Sequence, residues 1–477
     1  MRWTLAKKDF APCKRTNAWI YPTAALLIGI VFGCEPASAE EPVFYADPER
    51  GSNAGDGSLE RPWKTLAEVA QTGRLKALES GGTLYLRSGD HGAVQLSGDN
   101  AGTVTIANEK GHHPRLSRLT ITKGSRWTIR GLTITPSLDA PYRGNIVTLA
   151  EGGPASELLI EGCFIYSTLD TSSWTADDWI NANSGILAGR HGSRLTIRNN
   201  HVLNIRFGIQ MCAPDSLCEG NLVSDFSADG IRITRDGITV QHNVIKNGCC
   251  SAADGDDNHD DAIQCFLFNK GTGTVRNAVV RGNVIVNREG SDQKFPAPIQ
   301  GIGFFDGPLV NFVVEDNVVL VDHWHGITLN DAQNCRINGN SVYSIWNESK
   351  ARPWIMIGQK QNASHGNRVF DNMAFTYNFK SDPMVEAERN VPVSSAAFQE
   401  ALDQALEEIE GKGMGRDRRE GIEEKGVGRG KGTWKTRRGE LGAQRSRWIG
   451  RLDCQHSFDE LDELDELDEL DELDELD

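Results

Sequence analysis

One phrase recurs along most of this chain: a short β-branched run, a polar pair, Asn or a small residue, then a second β-branched run. It reads WTIRGLTI from Trp127, LLIEGCFI from Leu158, LTIRNNHVLNI from Leu195 and ITVQHNVIKN from Ile238. It continues as VVRGNVIVN from Val279, VVEDNVVLV from Val313, CRINGNSVYS from Cys335 and RVFDNMAFTY from Arg368. Aligned, the phrases give a column of Asn200, Asn221, Asn243, Asn283, Asn317, Asn340 and Asn372, in steps of 21 to 40 residues. Self-similarity at such a period marks a solenoid, and alternation within each unit makes its elements strands. Short strands turned by Asn and Gly, one coil per repeat, describe an all-β, single-stranded right-handed parallel β-helix, the hand following from the chirality of parallel crossovers. Roughly nine to twelve coils over about residues 43–380 are expected. A stacked Asn at each turn can bond its neighbours above and below, so this column is read as structural.

A second column carries more functional interest. A Gly/Ala-Ile pair opens another strand in each unit: SGILAG, FGIQMC, DGIRIT, DDAIQCF, QGIGFF and HGITLN. With Ile186, Ile209, Ile231, Ile263, Ile302 and Ile327 inward, alternation turns Leu187, Gln210, Arg232, Gln264, Gly303 and Thr328 outward. Two positions further on, Gly189, Cys212, Thr234, Phe266, Phe305 and Asn330 share that face. Just ahead of the pair stand Ser184, Phe207, Asp229, Asp261, Gln300 and His325. A plain solvated sheet face carries Thr, Ser, Lys and Glu; this mixture reads as a groove for a polar polymer.

Residues 1–39 read as a secretory signal. Lys7, Lys8, Lys14 and Arg15 precede an apolar run from Ala24 to Phe32, and Ala37–Ala39 offers an Ala-x-Ala cleavage site. The run is too short to span a bilayer, so a secreted or periplasmic protein without an integral membrane span is expected. VFGC, ending at Cys34, also resembles a lipoprotein signal, which makes anchoring there the alternative. Export permits disulfides: Cys212 and Cys218 flank a short loop and could pair, whereas Cys163, Cys265 and Cys335 sit where small apolar side chains fill the solenoid core. No Cys/His spacing reads as a zinc site.

The net charge of −16 is concentrated at one end, because Asp459–Asp477 holds 13 acidic residues and no basic one. The remainder carries about −3, with no broad basic surface, so no nucleic-acid partner is expected; the chain is read as a monomer. Residues 411–477, Gly/Arg/Lys-rich and then acidic, read as a disordered, dispensable tail. Before them, Phe398, Leu402, Leu406 and Ile409 fall at helical spacing, giving a short amphipathic helix within 381–410 that packs on the solenoid end.

The start of the mature chain, YADPERGSNAGDGSLERPWKTL followed by GGTLYLRSGDHG, combines a strand, a turn cluster and a helix beginning at KTLAEVAQ. A helix there would cover the open core and strand edges at the N-terminal end. This segment, with the repeats through about Asn378, resembles secreted right-handed parallel β-helix proteins of the pectate-lyase-like superfamily. The resemblance implies an enzyme acting on acidic polysaccharides such as pectin or alginate, although one fold hosts many functions.

Chemistry is expected where the repeat is interrupted. NGCCSAADGDDNHDDAIQCFLFNKG, from Asn247 to Gly271, gathers Asp254, Asp256, Asp257, Asp260 and Asp261 around His259. Carboxylates so close raise one another's pKa unless a cation or bases neutralise them, and hard oxygen ligands in a flexible loop suit calcium, the alternative being a solvated acidic loop without a bound ion. NHDD also resembles the Asp-Pro-His-Asp segment of β-helical mannuronan epimerases, in which the His acts on the sugar C5 proton; here Asn258 replaces the Pro. A lyase or epimerase acting on a uronate needs its carboxylate neutralised, a base for C5 and, for elimination, a donor for O4. Arg232 or calcium, assisted by Gln264, meets the first need. His259 is the candidate base and His325 the acid or second base, with Lys270 and Arg281 as further candidates. Asp229, Trp324, Phe305 and Asn330 complete a substrate-binding set, the Trp324 indole stacking on a sugar. Two alternatives stand: an inverting hydrolase of polygalacturonase type using Asp229 and Asp261, and a non-catalytic carbohydrate-binding β-helix.

Overall fold

The computed structural model describes residues 41–138, 142–249, 260–265, 274–288, 293–344 and 352–411. The segment expected to be a secretory signal and the tail beyond Gly411 lie outside these residues. Every ladder between named strands is parallel. Among the described residues a 24-stranded sheet and a 12-stranded sheet account for nearly all of the strands. The larger sheet bends lengthwise into two faces, joined at the N-terminal end by the long strands Ala93–Asn108 and Arg118–Arg130. Each coil therefore runs front strand, flank strand, back strand, and climbs to the next front strand. This is the right-handed parallel β-helix that the repeats predict.

The interior is a stack of like residues on like residues. On the front face Ile186, Ile209, Ile231, Ile263, Ile302, Ile327 and Ile355 lie in successive register and are fully buried. The small residue ahead of the first six of these isoleucines, Ala262 before Ile263 and glycine before the others, also faces in. A Cβ built on Gly208 would fall 2.2 Å from the Gly230 carbonyl oxygen, and one on Gly301 2.2 Å from that of Gly326. Two consecutive inward residues bend the strand, so the side chains on either side of the pair both emerge on the outer face.

The Asn column closes the turn from flank to back sheet. The residue before each Asn takes a left-handed conformation, as at Gly220 (φ 64), Gly282 (φ 59) and Asp316 (φ 56), which suits Gly, Asn and Asp. Each Asn Nδ2 donates to the Oδ1 one coil on, from Asn200 to Asn221 at 3.0 Å through Asn340 to Asn372 at 2.9 Å and Asn372 to Asn390 at 2.9 Å. That Oδ1 also accepts the backbone N–H of the preceding Asn, and Nδ2 gives its second hydrogen to a flank carbonyl. The amides are buried and fully bonded, the condition under which such a network stabilises.

The ladder continues past the expected end at 380. Strands Glu386–Glu388 and Val391–Pro392 add a further coil, with Asn390 in the column. Its residues are mostly exposed, so it lacks the apolar alternation by which the other coils are recognised. The helix follows as Ser395–Gly411, with Phe398, Leu402 and Ile409 buried. It lies on the outer face of the back sheet, against Val284, Val286, Val318 and Leu320, and not on the solenoid end. Those four residues point away from the core, whose share is taken by Ile285 and Val319, and the helix covers the apolar stripe they form. Among the described residues no helix is long and apolar enough to cross a membrane.

At the other end, helix Leu66–Gln71 starts at Thr65 with a capping box to Glu68 and buries Leu66 and Val69 over the first coils. The Leu66 N–H donates to His91 Nδ1 at 3.1 Å, and His91 Nε2 lies 2.8 Å from the Arg87 carbonyl oxygen. Nε2 therefore carries the proton and the ring is neutral. Burial lowers its pKa below the ordinary 6.5. A base whose folded pKa is depressed is protonated preferentially in the unfolded chain. Its stabilisation is thus complete above about 6.5 and is lost as pH falls below that value. The thermal midpoint should accordingly fall more steeply in this acid window for the wild type than for His91→Gln; parallel curves would refute the assignment.

Cys212 and Cys218 are both free thiols. Cys218 is a core residue beside Asn221, with burial raising its thiol pKa strongly, while Cys212 belongs to the adjoining front strand's exit. The loop between them separates two strands of one coil, so the expected pairing does not form. Cys163, Cys265 and Cys335 fill the core as anticipated.

Candidate functional site

The bend at each Gly-Ile pair puts two columns side by side on the front face. One runs Gln210, Arg232, Gln264, Gly303, Thr328, Met356 in direct register. The other holds Asp261 opposite Gln300 and His325 opposite Trp354, with Asp229 and Phe207 at the same place in earlier coils. Strands lie about 4.8 Å apart, so Arg232 and Thr328, three pairings apart, are about 14 Å from each other. That is the span of two or three sugar units.

At the N-terminal end of this face Arg232 is not a simple clamp for a substrate anion. Its Nε donates to Asp229 Oδ2, and its guanidinium lies 3.7 Å from the centroid of the Phe207 ring. Asp229 is 1 % exposed, and its Oδ1 accepts the Asp261 backbone N–H at 3.0 Å. The pair is an interior ion pair that fastens two coils, with Arg232 reaching outward over an aromatic face. Gln210, one coil earlier, donates to Asn145 Oδ1 at 3.1 Å. Asp229 is thereby unsuited to act as a hydrolytic acid or base.

The centre of the face is Gly303. A Cβ there would fall 1.9 Å from Asp261 Oδ1 and 2.6 Å from Phe305, so glycine leaves the floor on which the Asp261 carboxylate rests. Gln264 and Gln300, each 5 % exposed, flank it. Asp260 is buried beside Asp261. Carboxylate oxygens are the donor type that a hard cation takes, roughly six to eight at a time. Among the described residues no group of three or more His, Cys, Asp or Glu side chains is placed to hold a metal; Asp254, Asp256 and Asp257 lie outside them, as do His259, Lys270 and Phe266.

At the far end stands His325. Its Nδ1 is 2.7 Å from Thr328 Oγ1 and accepts from Trp354 Nε1 at 3.3 Å. Phe305 and Trp354 pack edge-on against its ring, at 4.9 and 5.1 Å between centroids, and His323 stacks at 5.4 Å. Trp324 is 43 % exposed and sits 6.3 Å from Trp354. Asn330 folds over Gly358, where a Cβ would meet its Oδ1 at 1.9 Å. Trp354 escaped the sequence reading because its coil lacks the Gly-Ile pair. Gly326 is bulged out of register, so His325 pairs with Trp354 while Ile327 pairs with Ile355. Ile355 at the usual strand spacing was the available signal.

The flank face is different in kind. Arg130, Glu161 and Arg198 align, with Glu161 bonded to both arginines at 2.8 and 2.7 Å. Further along, Arg336 and Arg281 share Glu315 at 2.9 and 3.6 Å. A shallow groove lined by Glu157, Leu158, Leu159, Arg194, Thr196 and Arg198 lies here. Its charges are consumed in exposed cross-strand pairs of small energetic value, the pattern of a solvated surface. Arg281 belongs to this face and not to the front.

No protein-family model and no curated sequence matches the chain. Solved structures that it resembles include an alginate lyase from Paenibacillus sp. str. FPU-7, at 15 % identity, covering 72 % of this chain and 98 % of that one, with a TM-score of 0.42. A lacto-N-biosidase from Eubacterium ramulus matches at 11 % identity over 74 % and 68 %, TM-score 0.43. The A-module of an Azotobacter vinelandii mannuronan C-5 epimerase matches at 12 % over 69 % and 95 %, TM-score 0.40. The parallel coils and their register decide the architecture. The chain is a right-handed parallel β-helix. Within this β-helix, the reaction must be argued from the front face.

Proposed function

We propose that this β-helix acts on an acidic, uronate-containing polysaccharide by β-elimination or C5 epimerisation along the front face. The observation that carries the reading is the run of Arg232, Gln264, Gly303 and Thr328 in one column, with Asp261, Gln300 and His325 beside it. Arg232 and His325, both partly exposed, stand at the two ends of this run, Gln264, Gly303 and Thr328 lie buried between them, and aromatic rings stand at its far end. A secreted or periplasmic location, as the signal-like segment suggests, would bring such a surface to extracellular polymers.

In the reaction a base removes the C5 proton and the electron pair moves into the adjacent carboxylate, whose oxygens gain charge. For a lyase, return of the pair forms the C4–C5 double bond and expels the O4 oxygen, which takes up a proton from water. For an epimerase, a proton returns to C5 from the opposite side. Donors that meet the charge as it develops lower the barrier most. Gln264 and His325 are assigned that task, with Arg232 assisting although Asp229 offsets its charge. His259 is the proposed base and Lys270 the reserve candidate. Calcium bound at Asp260 and Asp261, with Asp254, Asp256 and Asp257 contributing, would supply counter-charge for the carboxylate. The hydrolase alternative is disfavoured by the burial and bonding of Asp229.

The test is incubation of the mature protein with alginate, pectate, glucuronan and hyaluronan. Ultraviolet-absorbing unsaturated ends are expected on one of them, or an altered epimer ratio by proton NMR, and chelation of divalent ions should slow the reaction. Reducing ends without that absorbance would replace the proposal with hydrolysis; retention on the polymer without turnover would replace it with binding.

A further inference from the structure

The surroundings of His325 fix which of its nitrogens bears the proton, and with it the role the ring can play. Thr328 is fully buried on a strand whose neighbours on both sides are paired. Its hydroxyl has two polar partners among the described residues, His325 Nδ1 at 2.7 Å and Trp354 Nε1 at 3.3 Å. An indole nitrogen only donates, so it cannot take the hydroxyl proton. The remaining acceptor is His325 Nδ1. The Trp354 N–H, shared between Thr328 Oγ1 and Nδ1, points at the same lone pair. Two donors thus converge on Nδ1. Placing a proton there would set N–H against N–H and strand a buried hydroxyl, a loss that buried donors rarely bear. The neutral ring therefore carries its proton on Nε2.

We propose that Thr328 and Trp354 are positioning residues that hold His325 as an Nε2–H donor, and that His325 binds a uronate oxygen and does not abstract the C5 proton. An imidazole with its lone pair engaged at Nδ1 and hydrogen at Nε2 has no free lone pair with which to act as a base. It is suited to hydrogen-bond the carboxylate oxygen on which charge develops, without itself changing protonation state. The base then belongs to another residue, for which His259 remains the proposed one. The tautomer follows from local bonding alone. The substrate role rests on the uronate reading given above.

Histidine nitrogen NMR on the isotope-labelled full chain tests the two parts separately, with His325→Gln identifying the His325 signals by their loss. A lone-pair-type shift for Nδ1 and a protonated-type shift for Nε2 are expected. The opposite pattern in the wild type overturns the proposal. Thr328→Val, which removes only the hydroxyl, should raise the Nδ1-protonated population and cut kcat on the uronate polymer about tenfold with KM little changed, one hydrogen bond's worth of transition-state stabilisation. Thr328→Ser should restore both readouts. Equal loss in the Ser and Val variants, or an unchanged tautomer in Thr328→Val, would make Thr328 a packing residue and refute its positioning role. If the wild type shows the Nε2–H tautomer yet turns over no uronate polymer, the functional reading fails and the tautomer assignment stands.

Discussion

Replacing Asn283 with alanine should cost about 3–5 kcal/mol of folding stability, far more than its modest loss of apolar area suggests. Its Oδ1 accepts from the Asn243 backbone N–H and from Asn243 Nδ2, both at 3.0 Å. Its Nδ2 donates to the Val240 carbonyl at 3.0 Å and to Asn317 Oδ1 at 2.9 Å. Truncation removes all four bonds where no bulk water reaches, leaving the Asn243 N–H and the Val240 carbonyl without those partners. Asn390, at the partly exposed end of the column, bonds Asn372 and the Val369 carbonyl in the same manner. There water can replace the lost groups, and Asn390→Ala should cost less than half as much. Urea unfolding of both variants provides the measurement. Similar losses at the two positions would mean that the column contributes packing and not bonded amides.

The second large effect concerns Arg232. Its removal leaves the Asp229 carboxylate buried without its main counter-charge, and Arg232→Ala should destabilise the fold by about 3–5 kcal/mol before any question of activity arises. The double variant Asp229→Asn/Arg232→Gln removes both charges and should recover most of that loss. Activity is then read in the double variant, which is folded. If turnover on a uronate polymer disappears there, Arg232 contributes to substrate binding; if it is retained, Arg232 serves the fold alone. A single variant as stable as the wild type would show that the pair is not coupled as its geometry implies.

The architecture was legible because a solenoid writes its third dimension into its sequence period. The Asn and Ile columns could be aligned by eye, and each aligned residue proved to be a spatial neighbour of the next. Outward-facing identity was legible for the same reason, since parity alone turns Arg232, Gln264 and Thr328 to one side. What they bond was not. Asp229 could be grouped with that face, but its ion pair with Arg232 depends on how the two residues beside a Gly-Ile pair emerge together, which the period does not specify. Docking of the C-terminal helix on the back sheet was not legible either. The outward stripe of Val284, Val286, Val318 and Leu320 lies within continuous β-branched runs, where no polar alternation marks an outer face. Trp354 was hidden by a coil one residue shorter at the front corner. The proposed base and most of the acidic cluster lie outside the described residues.

That shorter coil has a consequence for how such a surface can change. Because Gly326 is looped out, the residue beside His325 is chosen by the length of the following turn as much as by its composition. Adding one residue ahead of Trp354 would slide a different side chain against the imidazole while Ile355 could keep its place in the core. Insertions and deletions at the front corner thus work as a selector dial, exchanging the neighbours of a reactive ring one at a time. Variation in loop length, usually regarded as noise between repeats, is here a route to new chemistry that leaves the scaffold untouched.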